Sequence, residues 1–189
     1  MGKKPLTRKQ VQKIRELVKN KPLQELLLNL SLDLMLRSSD LLALKVSDVI
    51  NKTGSTKTEI KVKQKKTGKH TLPIPLSKTS LRAIAKYLSD KPLDDYIFKG
   101  QMFSCTKKPI TSQQYARIVK GWVSNIGIED VSQYSTHSMR KTKASVIYME
   151  TKDVEACRRL LGQSSVIATS AYLGVTDNSA LQLARSIIL

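Results

Sequence analysis

Apolar residues at Val11, Ile14, Leu17 and Val18 recur at helical spacing, and Thr7 followed three residues later by Gln10 has the form of a capping box. Together they predict a first helix over residues 8–19. Pro22 suits a first helical position, and the Leu-rich segment 23–36 is apolar on nearly every side, as a helix buried within a bundle must be. Ser38 or Ser39 can cap a short helix through Leu44. The period changes near Val46. Val49 and Ile50 precede a turn at Thr53-Gly54-Ser55, and Glu59 to Lys63 then alternates polar and apolar with period two, the pattern of a half-buried strand. Thr67-Gly68 makes the next turn; Leu72 and Ile74 then point inward, and Pro73 marks an edge strand. Helical spacing returns from Ser77, with Leu81, Ile84, Ala85 and Leu88 on one face, and Tyr96 to Phe98 reads as a short extended piece. Thr111 or Ser112 can cap a helix whose Tyr115, Ile118, Val119, Trp122 and Val123 form one stripe, ended by Gly127. Further helices are predicted over 137–150 and 153–161, around Tyr172, and over 178–188. The expectation is a mainly α (α+β) fold: one compact helical unit interrupted by a small three-stranded antiparallel sheet.

Charge changes this picture more than composition does. The chain of 189 residues carries 33 basic against 15 acidic side chains, a formal net charge of +18. Self-repulsion on that scale is offset most simply by a polyanion, so nucleic acid is the expected partner, with a merely solvated basic surface as the alternative. A membrane partner is not expected. The apolar stretch from Leu26 to Leu36 is broken by Asn29, Ser31 and Asp33 and is too short to span a bilayer. The first residues lack the apolar run of a secretory signal, so a cytoplasmic, DNA-associated location is expected. Cys105 and Cys157 have no metal-ligand spacing, and Cys157 shares an apolar stripe with Val154, Leu160 and Leu161, so both read as reduced and structural.

Within this frame one set of side chains can support phosphoryl transfer. Tyr172 offers a phenol, which is mostly protonated at neutral pH and needs a base to become a nucleophile. Arginine is the best clamp for the two non-bridging phosphate oxygens, because its planar fork donates parallel hydrogen bonds and stays charged. His137 and Arg140, three apart on a helix, share a face and can present a proton-transfer group and a clamp to the same phosphate. Arg37 lies where the buried Leu-rich helix ends, close enough in sequence to be held by Asp40. Lys66, at the hairpin tip, could bring an ammonium to a leaving oxygen.

Five separated elements stand in a recognisable order: Leu36-Arg37-Ser38-Ser39-Asp40-Leu41, the hairpin Lys66-Thr67-Gly68, His137-Ser138-Met139-Arg140-Lys141-Thr142, Leu160-Leu161-Gly162-Gln163-Ser164-Ser165, and Tyr172. In these the chain resembles the catalytic domain of the tyrosine recombinase (phage integrase) family from about Thr7 to its end. The resemblance implies a site-specific DNA recombinase. Arg37 and Arg140 would bind the scissile phosphate and Tyr172 would attack it, giving a 3'-phosphotyrosine and a 5'-hydroxyl. Lys66 would protonate the leaving oxygen and His137 would move the tyrosine proton. The covalent bond conserves energy and the cationic cluster stands in for a metal, so no cofactor is expected. Double-stranded DNA is the implied partner, with self-association as a tetramer on two DNA sites.

Gln163 departs from the family pattern, which usually has His or Trp there. Its amide can donate a hydrogen bond to phosphate but carries no proton at neutral pH; the competing reading is a polar residue after the helix end at Gly162. Lys61, Lys63 and Lys65 share a strand face opposite Ile60 and Val62, and with Lys69 they read either as a backbone-binding surface or as charges guarding an edge strand. Lys141 is a further expected DNA contact. Gln113, Gln114 and Arg117 form a polar helix face suited to a DNA groove, or simply to solvent. The terminal stretch places Leu181, Leu183, Ala184, Ile187, Ile188 and Leu189 on a helix too apolar for a free tail, which docks either on a neighbouring subunit, as the resemblance implies, or on its own chain. Residues 1–189 read as one catalytic domain without an N-terminal core-binding arm, which makes the chain either a short invertase-like member or an excised fragment. Three alternatives stay open: a DNA-binding member with weak turnover, a nicking and resealing topoisomerase, and a basic RNA-binding or structural protein.

Overall fold

A computed structural model describes residues 3–100 and 108–186. Cys105 and the last three apolar residues, Ile187, Ile188 and Leu189, lie outside the described residues. Helix α1 (Arg8–Val18) starts at the Thr7–Gln10 capping box. The next, α2 (Pro22–Leu34), has Pro at its first position and buries every residue from Leu26 to Leu34. Short helices α3 (Ser38–Leu41) and α4 (Val46–Val49) lead to strands β1 (Glu59–Ile60) and β2 (Ile74–Pro75). The remaining helices are α5 (Lys78–Leu88), α6 (Ser112–Asn125), α7 (Thr136–Thr151), α8 (Val154–Leu161), α9 (Val166–Leu173) and α10 (Asp177–Ser186).

The all-round apolar character of α2 has the predicted consequence: it is the central rod, packed against α1, α5 and α7. Of its buried polar residues, Ser31 donates to the Leu28 carbonyl at 2.9 Å, Asn29 leaves its Oδ1 without a hydrogen-bond partner, and Asp33 is the most heavily bonded. Asp33 accepts hydrogen bonds from the Ser77 amide at 2.8 Å, the Ser77 hydroxyl at 2.6 Å and the Ser80 hydroxyl at 2.5 Å, and an ion pair from Lys143 at 3.1 Å. Burial alone would raise this carboxyl. The serine donors and the Lys143 charge outweigh it and hold the group below its ordinary 3.8. Asp33 therefore stitches α5 and α7 onto α2. Replacing Asp33 by Asn should cost about 2 kcal/mol in urea unfolding at pH 7, by removing the charge that four donors share. Because the folded value is the depressed one, the wild-type advantage is full above the ordinary carboxylate value. It should shrink as pH falls through the folded one.

Where the small sheet was expected to hold three strands, it has two among the described residues. β1 and β2 pair antiparallel, Glu59 with Pro75 and Ile60 with Ile74. The segment at Val46–Val49 is helical, and beside the two strands isolated bridges pair Ile50 with Thr56 and Lys63 with His70. Asp48 draws that segment into a helical turn, its carboxylate accepting the Lys45 amide at 2.8 Å. Leu72 is 47% exposed instead of pointing inward, and Thr71 is buried in its place. Thr71 pairs with Val62 twice, through its amide and, as acceptor, its hydroxyl. Pro73 then interrupts the alternation before Ile74 turns in again. On α8, Cys157 is buried as predicted and its thiol is pushed up by burial.

Candidate active site

Two helix ends create the floor of the site. α2 stops at Met35 in the left-handed conformation, φ 49°, and α8 stops before Gly162, φ 62°. Each leaves backbone carbonyls without an intrahelical partner, at the negative end of its dipole. Arg140, on α7 and only 4% exposed, answers both: Nη1 donates to the Met35 carbonyl at 2.8 Å and Nη2 to the Leu161 carbonyl at 2.7 Å. Burial and the neighbouring charge of Arg37 push this guanidinium down to about 10, so it stays protonated at neutral pH. Arg37, at the N-cap of α3 and half-buried, donates from Nη1 to Oε1 of Gln64 at 2.8 Å.

The remaining predicted groups gather around the two arginines. Tyr172, on α9, is half-buried and its hydroxyl lies 3.3 Å from the main-chain carbonyl of His137, to which it donates. Burial raises the phenol, while the charges of Arg140 and Arg37 pull the other way. His137, at the start of α7, is held below the ordinary imidazole value by partial burial and by Arg140 and Arg37, so it is neutral at pH 7. Lys141 lies with its ammonium 5.3 Å from the centroid of the Tyr172 ring, and partial burial lowers it. Gln163 follows the α8 cap; its Oε1 is 2.8 Å from the Thr169 hydroxyl, and its carbonyl accepts Nη1 of Arg158 at 2.7 Å. Arg158 is in turn held by Glu155, whose carboxylate, bonded by Arg158 and Arg159, is lowered to about 2. Thus Arg37, His137, Arg140 and Tyr172 meet at the start of α7 and on α9, while Gln163, just past the end of α8, has its side chain on Thr169.

Lys66 stands apart as an exposed residue at the hairpin tip, two positions after Gln64. Asp40 does not hold Arg37 as expected: its Oδ1 accepts the backbone amide of Lys65 at 2.9 Å and so anchors the hairpin. Lys61, Lys63, Lys65 and Lys69 are exposed while Ile60 and Gln64 are buried, which keeps the expected alternation through residue 65. On α6, Gln113 and Arg117 are exposed, whereas the Gln114 oxygen is engaged by the Thr111 amide at 2.7 Å, closing a capping box. Gln64, Arg158 and Thr169 were not among the residues singled out in the sequence. For Gln64 the signal was present, since it continues the inward series Ile60, Val62. Among the described residues no group of three or more His, Cys, Asp or Glu side chains could hold a metal. No helix of the described residues is long and apolar enough to cross a membrane.

Comparison with known proteins gives the same reading from a separate direction. The model of the phage integrase family matches residues 4–179. A Bacillus subtilis protein named probable integrase/recombinase YoeC is 32% identical over 179 residues, 89% of this chain and 92% of that protein. The tyrosine recombinase XerC of Caldanaerobacter subterraneus is 28% identical over 137 residues; the match covers 71% of this chain but only 38% of that longer protein. Among solved structures, XerA recombinase superposes over 98% of this chain and 65% of its own with a TM-score of 0.75 and 19% identity. XerH bound to its palindromic difH substrate gives 0.74 over 99% of this chain and 54% of its own, again at 19% identity. At those identities the likeness speaks for the fold, mostly helical with a small antiparallel sheet, and the family model with the Bacillus relative speaks for descent. With a match that runs almost from end to end, the chain belongs to the phage integrase family of tyrosine recombinases.

Proposed function

We propose that the chain cleaves and rejoins DNA strands through a covalent 3'-phosphotyrosine formed on Tyr172, as a site-specific recombinase acting on double-stranded DNA. The observation that carries this reading is the meeting of two guanidinium groups, a neutral imidazole and a phenol at the junction of α7, α8 and α9. In the step envisaged, the phenol oxygen bonds to phosphorus as the bond to the 5'-oxygen breaks. The phenol proton passes to neutral His137, and Lys66 gives a proton to the leaving alkoxide. Arg37 and Arg140 neutralise the two non-bridging oxygens as charge builds on them. Gln163 contributes an amide donor only if its nitrogen faces the phosphate. The Thr169 hydroxyl also lies 2.8 Å from the Ser165 carbonyl, and its single proton cannot serve both acceptors.

The test is a nicked suicide duplex, whose cleaved fragment diffuses away and traps the adduct. A covalent protein–DNA species stable to detergent is expected; its absence would favour a DNA-binding protein with this fold. Adduct without exchange between two sites would favour a topoisomerase. The basic hairpin face fits duplex backbone. Lys61→Ala and Lys63→Ala should each flatten the dependence of log Kd on log salt by about 0.9, with little effect on sequence preference. An unchanged slope would leave these lysines as guards of an edge strand. Gln113, Gln114 and Arg117 are proposed to face a groove and Lys141 the phosphate beside Tyr172. Leu181 on α10 is 52% exposed, which fits a tail seated on a second copy within a tetramer on two DNA sites. Residues 1–189 then act as the strand-transfer domain, DNA-associated in the cytoplasm.

A further inference from the structure

Gln64 is 2% exposed, and each polar atom of its amide is used. Oε1 accepts from Arg37 Nη1 at 2.8 Å and from the Thr67 hydroxyl at 3.2 Å, while Nε2 lies 3.4 Å from the Leu161 carbonyl. The orientation is unambiguous. A guanidinium can only donate, so the oxygen must face Arg37, and a carbonyl can only accept, so the nitrogen must face Leu161. The same Leu161 carbonyl takes Arg140 Nη2 at 2.7 Å. A continuous chain of hydrogen bonds therefore runs from Arg37 through the Gln64 amide and the Leu161 carbonyl to Arg140, with a branch through Thr67 into the turn that carries Lys66.

Two cations held this close repel one another: Arg37 weakens the hold of Arg140 on its proton, and both weaken that of His137. Neutral acceptors placed between them fix their separation without cancelling their charge. A carboxylate in that position would pair with Arg37 and withdraw it from a phosphate. The packing reinforces the point, since a Cβ on Gly162 would come within 2.5 Å of Gln64 Nε2, so the α8 cap is closed against this side chain.

We infer that Gln64 is a positioning residue of the strand-transfer site, an amide strut that sets Arg37 against Arg140 and ties both to the lysine-bearing turn. The inference rests on the reading of Tyr172 as the nucleophile. Single-turnover adduct formation on the suicide duplex is measured for the wild type, Gln64→Met, Arg37→Ala and the double variant, alongside DNA affinity and thermal unfolding. Gln64→Met should slow adduct formation about 10- to 100-fold with DNA affinity changed less than about twofold, the mark of a group acting on the transition state. In the Arg37→Ala background the same substitution should cost less than about threefold, because its target is gone. Gln64→Glu, isosteric with glutamine and suited to folding even if the methionine variant does not, should show a still larger loss that also vanishes without Arg37. Replacing the 5'-bridging oxygen by sulfur supplies a leaving group that needs no proton. It should rescue Lys66→Ala but leave most of the Gln64→Met deficit, the part that acts through Arg37, in place.

Equal rates for wild type and Gln64→Met, or a full loss persisting in the Arg37→Ala background, would overturn the inference while leaving the function intact. A wild-type chain that forms no adduct would overturn both.

Discussion

Tyr172→Phe is expected to lower adduct formation on the suicide duplex by at least about four orders of magnitude, with DNA affinity unchanged within about twofold. The substitution removes one oxygen and nothing else of consequence. The ring remains for Lys141 to pack over at 5.3 Å, and what the hydroxyl gives up is the long bond, 3.3 Å, to the His137 carbonyl and its contact with the Arg140 guanidinium. Its loss should change stability by less than about 1 kcal/mol. A defect confined to chemistry is thus predicted. The pH dependence of the wild type should add a second signature. Burial raises the Tyr172 phenol, so it is protonated at neutral pH and cannot attack without a base. His137 is lowered from 6.5 and is therefore neutral, able to accept that proton. The rate should hold near pH 7 and fall as the solution is acidified past a midpoint below 6.5, where the imidazole becomes charged. A midpoint above the ordinary imidazole value would remove His137 from the role.

How much of this could be seen in the chain beforehand differs between local and distant features, for a physical reason. Helix starts were legible because caps are local: Thr7, Ser77 and Thr111 each satisfy an amide three residues on. The central place of α2 was legible because nine consecutive residues cannot all be buried except inside a bundle. The valine-rich piece at Val46–Val49 was not. Four residues fit either period, and the Asp48–Lys45 contact decided the matter. Leu72 was misplaced because simple alternation does not foresee a proline that resets it. At the site, the residue types with one obvious chemistry, Arg37, His137, Arg140 and Tyr172, stood out by type and order. Their supports did not. Asp40 reaches the Lys65 amide and Gln64 reaches Arg37 across 25 and 27 positions, and nothing local to either residue points that far. A buried amide at the third inward position of an alternating strand was the one available hint, and its partner could be named only once the hairpin was seen to fold against α3 and α8.

The two arginines should separate under the same conservative exchange. Arg140→Lys is expected to slow adduct formation about 1,000-fold and also to destabilise the fold by about 3 kcal/mol in urea unfolding. The stability loss follows from the two helix ends that Arg140 holds. A lysine ammonium is a single point on a flexible stem. It can meet the Met35 carbonyl or the Leu161 carbonyl but lacks the planar fork that reaches both, so either the Met35 carbonyl loses its donor or the Leu161 carbonyl keeps only the long 3.4 Å bond from Gln64. Arg37→Lys should cost a comparable factor in rate but less than about 1 kcal/mol in stability. That side chain is half-buried and gives up one bond, to the Gln64 oxygen, which Thr67 still partly satisfies. Measuring both variants by denaturation and by single-turnover cleavage places each on two axes. If Arg140→Lys is as stable as Arg37→Lys, Arg140 does not brace α2 and α8, and its burial serves only to aim a charge at phosphate. If its stability falls but its rate does not, the guanidinium is a brace alone, and the second clamp on the phosphate must come from another group, with Lys141, 5.3 Å from the Tyr172 ring centroid, the cation to examine.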